Sequence, residues 1–198
     1  AMNELSNHDH SRFLTRTNHK VGRTNTMGPE AAEQGINKAV FREAVTIQMT
    51  WMGAPTIYYG DEAGLCGFTD PDNRRTYPWG HEDRELINFH KDIIRIHRSS
   101  RAFKTGSIKT IMATNTAICY GRFNKEDQFI IIVNSGEAHD NISVPAWQIG
   151  ATRHGVLKQL LFTNEEGYSS APVRYELEDG CFDIHMQRNS AMILKVLK

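Results

Sequence analysis

The sequence predicts an α/β segment followed by an all-β domain, and three observations lead to this fold class. Near the N-terminus, two short strand-like runs flank one long segment in which apolar residues recur at helical spacing. After residue 106, the pattern changes to short β-branched or alternating runs that are separated by turn sequences such as Glu178-Asp179-Gly180. No internal repeat or low-complexity tract is visible. We therefore predict two domains, residues 1–102 and 103–198.

The α/β segment is predicted to hold two parallel strands and two helices. A polar loop over residues 9–35 and a second loop over residues 61–82 follow the two strands, and loops of this length usually carry function. Two parallel strands with two helices do not cover both faces of a sheet, so we expect this segment to be a sector of a larger α/β fold. The predicted elements are Asn3–Asn7, Ile36–Met52, Pro55–Tyr59 and Glu85–Arg98.

The all-β domain is predicted to be an antiparallel β-sandwich of roughly 95 residues, a size that can fold alone. Turn-rich sequences separate its short strands at regular intervals. Its aromatic residues are expected to lie mostly in the core: Tyr120, Phe123, Trp147, Phe162, Tyr168, Tyr175 and Phe182. The predicted strands are Ser107–Ala113, Ala117–Phe123, Phe129–Val133, Ile142–Val144, Leu157–Phe162, Val173–Leu177, Phe182–Met186 and Ala191–Leu197.

Composition excludes several classes of partner. The chain has 198 residues, with 23 basic and 23 acidic side chains, so it lacks the charge that attracts nucleic acid or an anionic membrane surface. No apolar run approaches the roughly 18 to 20 residues that span a bilayer. The three cysteines are an odd count without close spacing, so we expect reduced thiols and a cytoplasmic protein. Neutral partners such as sugars fit this composition best.

The dipeptide His8-Asp9 is the first candidate for chemistry. It follows the first predicted strand, at the carboxyl end where parallel α/β folds place their ligands. By itself the pair favours a metal-free surface loop, and it also occurs in helical metal-dependent phosphohydrolases. The phosphohydrolase is disfavoured because about half the chain is predicted strand and the nine histidines have no metal-ligand spacing. We therefore expect neither a metal nor a cofactor.

Several ordered motifs together narrow the choice. They are the stretches 7–15, 53–62, 70–75 and 77–79, and in this order they resemble the alpha-amylase family of glycoside hydrolases from its seventh barrel strand onward. Within that family they are most similar to the cyclomaltodextrinase, neopullulanase and maltogenic-amylase group. The resemblance implies the last strand–helix units of a (β/α)8 barrel, followed by the β-sandwich. It also implies a retaining enzyme that acts on α-1,4-linked glucans or cyclodextrins, with α-1,6 linkages left open.

The resemblance also implies roles for individual residues. Asp9 would be the transition-state stabiliser, since a fixed carboxylate lowers the energy of an oxocarbenium-like transition state. His8 would bind sugar hydroxyls next to the scissile bond, and Asp70 and Arg74 would bind sugar rings further along the cleft. A turn with a surface ion pair is the alternative for the last two. Asp61 and Glu62 are expected to be structural.

Three consequences follow for the chain itself. The first six strand–helix units, with the nucleophile and the acid/base, have no counterpart in these 198 residues, so this chain alone is expected to be inactive. Its partners would be an α-linked glucose polymer and the missing barrel segment. Apolar faces left uncovered on Ile36–Met52 and Pro55–Tyr59 are expected to cause self-association. The alternative is a non-catalytic carbohydrate-binding or structural module, which paired exposed aromatic residues on the β domain would favour.

Overall fold

The fold begins with a strand–helix–strand unit. The computed structural model describes residues 1–20 and 22–197. Strand β1 (Met2–Glu4) pairs in parallel with β2 (Ala54–Thr56), and helix α3 (Lys38–Thr50) lies between them in the sequence. The parallel pairing agrees with the prediction. Each strand is three residues long and therefore shorter than predicted, since the two strands pair only with each other among the described residues.

The helices begin and end where their capping residues place them. Asn37 caps α3, because its Oδ1 accepts from the backbone N–H groups of Ala39 at 2.9 Å and Val40 at 3.2 Å. Asp83 caps helix α4 (Arg84–Ser99) in the same way, through the N–H of Leu86. The predicted helices are thus confirmed with small shifts at their ends. Three short helices were not predicted: α1 (Phe13–Arg16), α2 (Thr24–Met27) and α5 (Ala102–Thr105).

The remaining chain forms two antiparallel sheets. The larger sheet has the order β3-β4-β5-β11-β7-β8, with β9 also paired to β7, and the smaller sheet pairs β10 with β6. Every predicted strand corresponds to one in the structure, and only β8 was missed, because three residues after a tight turn leave little pattern. The strands are β3 (Ser107–Ala113), β4 (Ala117–Phe123), β5 (Gln128–Asn134), β6 (His139–Pro145), β7 (Gly155–Asn164), β8 (Gly167–Ser169), β9 (Arg174–Leu177), β10 (Cys181–Met186) and β11 (Ser190–Leu197).

The two faces of the larger sheet are covered by different neighbours. One face packs on α3 and α4, where Phe41 and Phe89 meet Ile131 and Ile193 in a common core. The other face shares a second core with β6, β10 and the 3₁₀ turn at Ala146–Ile149. The apolar side of α3 is therefore covered by the β domain. The expectation of an uncovered helix face was wrong, because the strands bury it.

Two buried arginines join the helices to the sheets. Arg42 of α3 donates to Thr163 Oγ1 at 2.6 Å and to the Asn164 carbonyl at 2.7 Å, both at the end of β7. Arg122 of β4 donates to the Thr50 carbonyl at the end of α3, and also to carbonyls of α5. Planar guanidinium groups suit such sites, because several acceptors converge on one rigid donor. The α/β segment and the β domain consequently share one packed interface.

The aromatic residues of the β domain are mostly buried or half-buried, as predicted. Trp147 is the exception, with 57% of its surface exposed. It lies on the 3₁₀ turn, whose neighbours Ala146 and Ile149 are buried in the second core. Among the described residues, no helix is long and apolar enough to cross a bilayer. Cys66 and Cys119 are buried free thiols, whereas Cys181 is half-buried.

Candidate active site

His8 and Asp9 lie side by side in the loop that follows β1. His8 Nε2 is 3.5 Å from Asp9 Oδ1, and the two side chains are 61% and 68% exposed. Asn7 shapes this turn, because its Oδ1 accepts from the backbone N–H groups of Asp9 at 2.9 Å and His10 at 3.2 Å. The turn presents an imidazole and a carboxylate to solvent. Together they offer hydrogen-bond donors and acceptors to the hydroxyl groups of a ligand.

Arg12 holds this loop against the loop that follows β2. Its side chain is fully buried, with Nε donating to the Asn73 carbonyl at 3.0 Å and Nη1 donating to the Tyr59 carbonyl at 2.7 Å. The guanidinium also lies 4.4 Å from the ring centre of Tyr58 and 4.8 Å from that of Tyr59, within cation–π range. Arg12 therefore helps to fix the two loops to each other.

Asp61 and Glu62 have structural contacts, as the sequence suggested. Asp61 is buried and accepts from Arg12 Nη1 at 2.9 Å. Burial raises the pKa of Asp61 to about 6, while hydrogen bonds from Ser6 and Arg12 act in the opposite direction. Glu62 Oε2 accepts from the Gly60 N–H at 3.0 Å, which closes the turn after β2. Asp61 thus has its partner in the loop after β1, whereas Glu62 has a local partner in its own loop.

Asp70 and Arg74 form an ion pair on the second loop. Arg74 Nε donates to Asp70 Oδ1, and the two side chains are about half exposed, 54% for Asp70 and 49% for Arg74. The ion pair between Arg75 and Asp72 is more buried than the pair between Arg74 and Asp70. Arg75 Nε donates to Asp72 Oδ1 at 2.9 Å, and Asp72 also accepts from the Phe68 N–H. These hydrogen bonds to Asp72 outweigh its desolvation and lower its pKa. Asp70 and Arg74 thus keep free surface for a ligand.

Asn73 connects the two candidate clusters, and sequence reasoning did not identify it. Its side chain is fully buried, and Nδ2 donates to the carbonyls of Asn7 at 3.2 Å and His10 at 2.8 Å. The segment that carries Asp70 and Arg74 is in this way tied to both sides of His8-Asp9. Only its position in the motif at residues 70–75 marked this asparagine, since its partners are 63 and 66 residues away in the sequence.

Two aromatic residues near this site are exposed. Tyr59 is 42% exposed and donates its hydroxyl to the Arg75 carbonyl at 2.8 Å. It lies outside the core, because β2 ends at Thr56 and the tyrosine belongs to the loop. Trp79 is 78% exposed, and its ring centre lies 4.5 Å from that of Tyr77. Within residues 1–20 and 22–197, no group of three or more His, Cys, Asp or Glu side chains is placed to hold a metal.

Comparison with known proteins identifies the family of this chain. Residues 1–148 match the family model described as "Alpha amylase, catalytic domain". The chain is 35% identical over 180 residues to an amylopullulanase of Thermoanaerobacterium thermosulfurigenes, covering 85% of this chain and 10% of that protein. It is 30% identical over 196 residues to a cyclomaltodextrinase of Thermoanaerobacter pseudethanolicus, covering 98% of this chain and 28% of the relative. The chain thus covers 10% of the length of the first relative and 28% of the length of the second.

Solved structures share the fold over the whole chain. An alpha-amylase from Geobacillus thermoleovorans, determined in complex with acarbose, superposes with a TM-score of 0.76 at 20% identity. That match covers 100% of this chain and 39% of the solved chain. The family match extends over residues 1–148 of 198, and the sequence relatives are alpha-glucan hydrolases by name. The chain belongs to the alpha-amylase family.

Proposed function

We propose that this chain supplies one wall of the active site of a retaining glycoside hydrolase that acts on α-linked glucans. The observation that carries the proposal is the link between two loops, in which Asn73 and Arg12 hold His8-Asp9 against the segment of Asp70 and Arg74. Family membership and the names of the relatives support the substrate class. In this arrangement β1 and β2 are the last two strands of a (β/α)8 barrel, and the two antiparallel sheets form the sandwich behind it.

Each residue has a role that its geometry permits. Asp9 carries an exposed carboxylate on a rigid turn, so its charge is available to stabilise a developing oxocarbenium ion. His8 is next to it and hydrogen-bonds the hydroxyls of the same sugar. Asp70 and Arg74 are half exposed and bind a neighbouring sugar ring, with the carboxylate accepting and the guanidinium donating hydrogen bonds. The proposed substrates are α-1,4-linked glucans or cyclodextrins, and the proposed compartment is the cytoplasm.

The chemistry also needs groups that we place outside these 198 residues. A retaining glycosidase uses two carboxyl groups about 5 to 5.5 Å apart, one as nucleophile and one as acid/base. Asp61 is paired with Arg12 of the loop after β1, and Glu62 with the Gly60 N–H of its own loop, so we assign neither role to them. The 198-residue chain therefore hydrolyses nothing by itself and needs the preceding barrel strands as its partner.

The test compares variants in the whole enzyme that contains this chain. Asp9→Asn keeps the size of the side chain and removes its charge, and we expect kcat on maltooligosaccharides to fall by roughly 10²- to 10³-fold or more. Because Asp9 is exposed, the midpoint of thermal unfolding should not change. Glu126→Gln, which neutralises an exposed carboxylate in the β4–β5 turn, is the matched control and should retain full activity.

Two results would contradict the proposal. Asp9→Asn with the activity of the unaltered enzyme would remove the stabilising role from this carboxylate. Turnover of maltooligosaccharides by the isolated 198-residue chain, at rates like those of the whole enzyme, would show that the nucleophile and the acid/base lie within it. Product analysis by NMR gives a third check, because a retaining enzyme releases the α-anomer first.

A further inference from the structure

Trp147 is an exposed tryptophan on a rigid support. Its 3₁₀ turn, Ala146–Ile149, is anchored by two buried neighbours, while the indole side chain remains largely exposed. The Trp147 N–H donates to the Gly180 carbonyl at 2.9 Å, which joins the turn to the β9–β10 connection. A tryptophan normally loses most of its surface to the core of a folded domain. Its exposure here, on a fixed backbone, therefore requires an explanation.

Gly180 makes this close approach possible. Its φ of +77° lies in the left-handed region that favours glycine. A Cβ atom at this position would come within 2.8 Å of Trp147 Cβ and 3.4 Å of the indole Cδ1 and Cγ. The base of the indole thus rests directly on the Gly180 backbone.

Trp147 lies on the side of the β domain that faces away from the helices. The 3₁₀ turn packs into the second core with β6 and β10, whereas α3 and α4 cover the opposite face of the larger sheet. In the proposed function, the rest of the barrel joins at β1 and β2, next to α3. The preceding barrel strands consequently do not account for the exposed surface of Trp147.

A polar cavity of about 430 Å³ has both sequence neighbours of Gly180 in its wall, which does not include Trp147 itself. Asp179 and Cys181, which flank Gly180, belong to its wall, and Ser143, Glu176 and Asp183 provide hydroxyl and carboxylate groups. This combination suits a sugar, because a pyranose ring has an apolar face for stacking on indole and hydroxyls for carboxylate acceptors.

A protein partner fits this surface less well. Interface cores gather several large apolar side chains, yet among the described residues of the β domain only Val173 is also large, apolar and exposed. The carboxylates around the cavity would have to be desolvated by a protein partner. A sugar chain leaves them partly hydrated.

We propose that Trp147 and the adjoining cavity form a binding surface for α-glucan chains on the face of the β domain that is turned away from α3. The choice of α-glucan as ligand rests on the proposed function, whereas the surface itself is defined by residues of the β domain. Such a surface keeps a long polysaccharide attached to the protein. It has no effect on short oligosaccharides that do not reach it.

The test measures retardation of the 198-residue chain during native electrophoresis in gels that contain soluble starch. We expect the unaltered chain to be retarded, and Trp147→Ala to weaken the apparent affinity by about 3- to 10-fold. Trp147→Phe should restore most of the retardation, because a flat ring still stacks. Val173→Ala, which also removes an exposed apolar side chain from this domain, is the control and should migrate like the unaltered chain.

Several outcomes would overturn the proposal. They are absence of retardation of the unaltered chain, equal retardation in gels containing a β-linked glucan, and unchanged retardation of Trp147→Ala. Loss of self-association in Trp147→Ala, seen by light scattering with retardation unchanged, would instead identify a protein contact. If Trp147→Ala does not fold, Glu176→Ala tests the same cavity, and its unchanged affinity would also overturn the proposal.

Turnover measurements on variants of the whole enzyme distinguish this proposal from the proposed function. Trp147→Ala should leave turnover of maltotriose unchanged and raise the starch concentration needed for half-maximal rate by a similar 3- to 10-fold. Asp9→Asn should instead lower turnover by roughly 10²- to 10³-fold or more while starch retardation persists. If retardation depends on Trp147 but turnover does not depend on Asp9, the proposed function is refuted. The proposal of a glucan-binding surface would still hold.

Discussion

Arg12 and Asp61 form a buried ion pair, with Arg12 Nη1 donating to Asp61 Oδ1 at 2.9 Å. The two residues lie 49 positions apart, one in the loop after β1 and the other at the start of the loop after β2. Arg12 also donates to the Asn73 and Tyr59 carbonyls. Arg12, together with Asn73, therefore determines how the two candidate substrate-binding loops face each other.

Removing Arg12 should destabilise the chain strongly. Arg12→Ala leaves the Asp61 carboxylate buried without its cation, and breaking a buried pair in this way costs about 3 to 5 kcal/mol. Arg12→Lys should also be destabilising, because an ammonium cannot reach three acceptors arranged for a planar guanidinium. The measurement is the free energy of unfolding in urea. Arg153→Lys, at an exposed ion pair with Asp179, is the control and should stay within about 0.5 kcal/mol of the unaltered chain.

Asn73 should control the order of the His8-Asp9 turn. Asn73→Ala removes the donors to the Asn7 and His10 carbonyls, at a cost of about 1 to 3 kcal/mol. We expect faster hydrogen exchange at the amides of residues 7–13. In the whole enzyme, we also expect the affinity for maltooligosaccharides to fall by more than the loss of folding stability explains. Asn115→Ala, in the exposed β3–β4 turn, should change neither quantity. Unchanged exchange in Asn73→Ala would remove this positioning role.

Glu43 should make stability depend on pH. It is 3% exposed on α3, with Oε2 accepting from Ser135 Oγ at 2.8 Å and Oε1 without a hydrogen-bond partner among the described groups. Burial raises the pKa of Glu43 to about 7, and the nearby Glu165 acts in the same direction. The folded state holds a proton that the unfolded state releases above pH 4.5. The contribution of this bound proton to the free energy of unfolding is therefore complete below pH 4.5 and is lost as the pH rises through 7.

Glu43→Gln provides the corresponding test. The variant carries no charge, so it should match the unaltered chain near pH 5 and exceed it in unfolding free energy by roughly 1 to 3 kcal/mol at pH 8. Urea unfolding at several pH values measures this difference. Glu137→Gln, which neutralises an exposed glutamate, should show no such trend. If the unfolding free energies of Glu43→Gln and the unaltered chain differ by a constant amount from pH 5 to 8, the raised pKa of Glu43 in the folded state is contradicted.

Self-association should start from the β1–β2 pair. These strands pair only with each other among the described residues, and the exposed side chains of Met2 and Met52 lie next to them. Unpaired strand edges with apolar neighbours favour pairing between chains. The average mass of the unaltered chain, measured by light scattering, should increase as protein concentration rises. The double variant Met2→Lys/Met52→Lys should show a smaller increase. Met27→Lys, an exposed methionine of α2, should have no effect, and a strictly monomeric unaltered chain would refute the prediction.

Sequence pattern alone predicted the order of the helices and strands, because each depends on neighbours a few residues apart. The apolar period of α3 and the alternation along β7 are of this kind. The position of His8-Asp9 after a strand was visible for the same reason. The sequence also determined the family, since several motifs occur in a consistent order.

Only the tertiary structure decided which distant groups meet. The coverage of α3 by the β domain, the exposure of Tyr59 and Trp147, and the burial of Glu43 depend on contacts between segments far apart in the chain. Asn73 is the clearest case, because an asparagine in a turn-rich loop has no local feature that reveals partners more than 60 residues away. Burial and long-range hydrogen bonding are properties of the packed chain, whereas periodicity and capping are properties of its local segments.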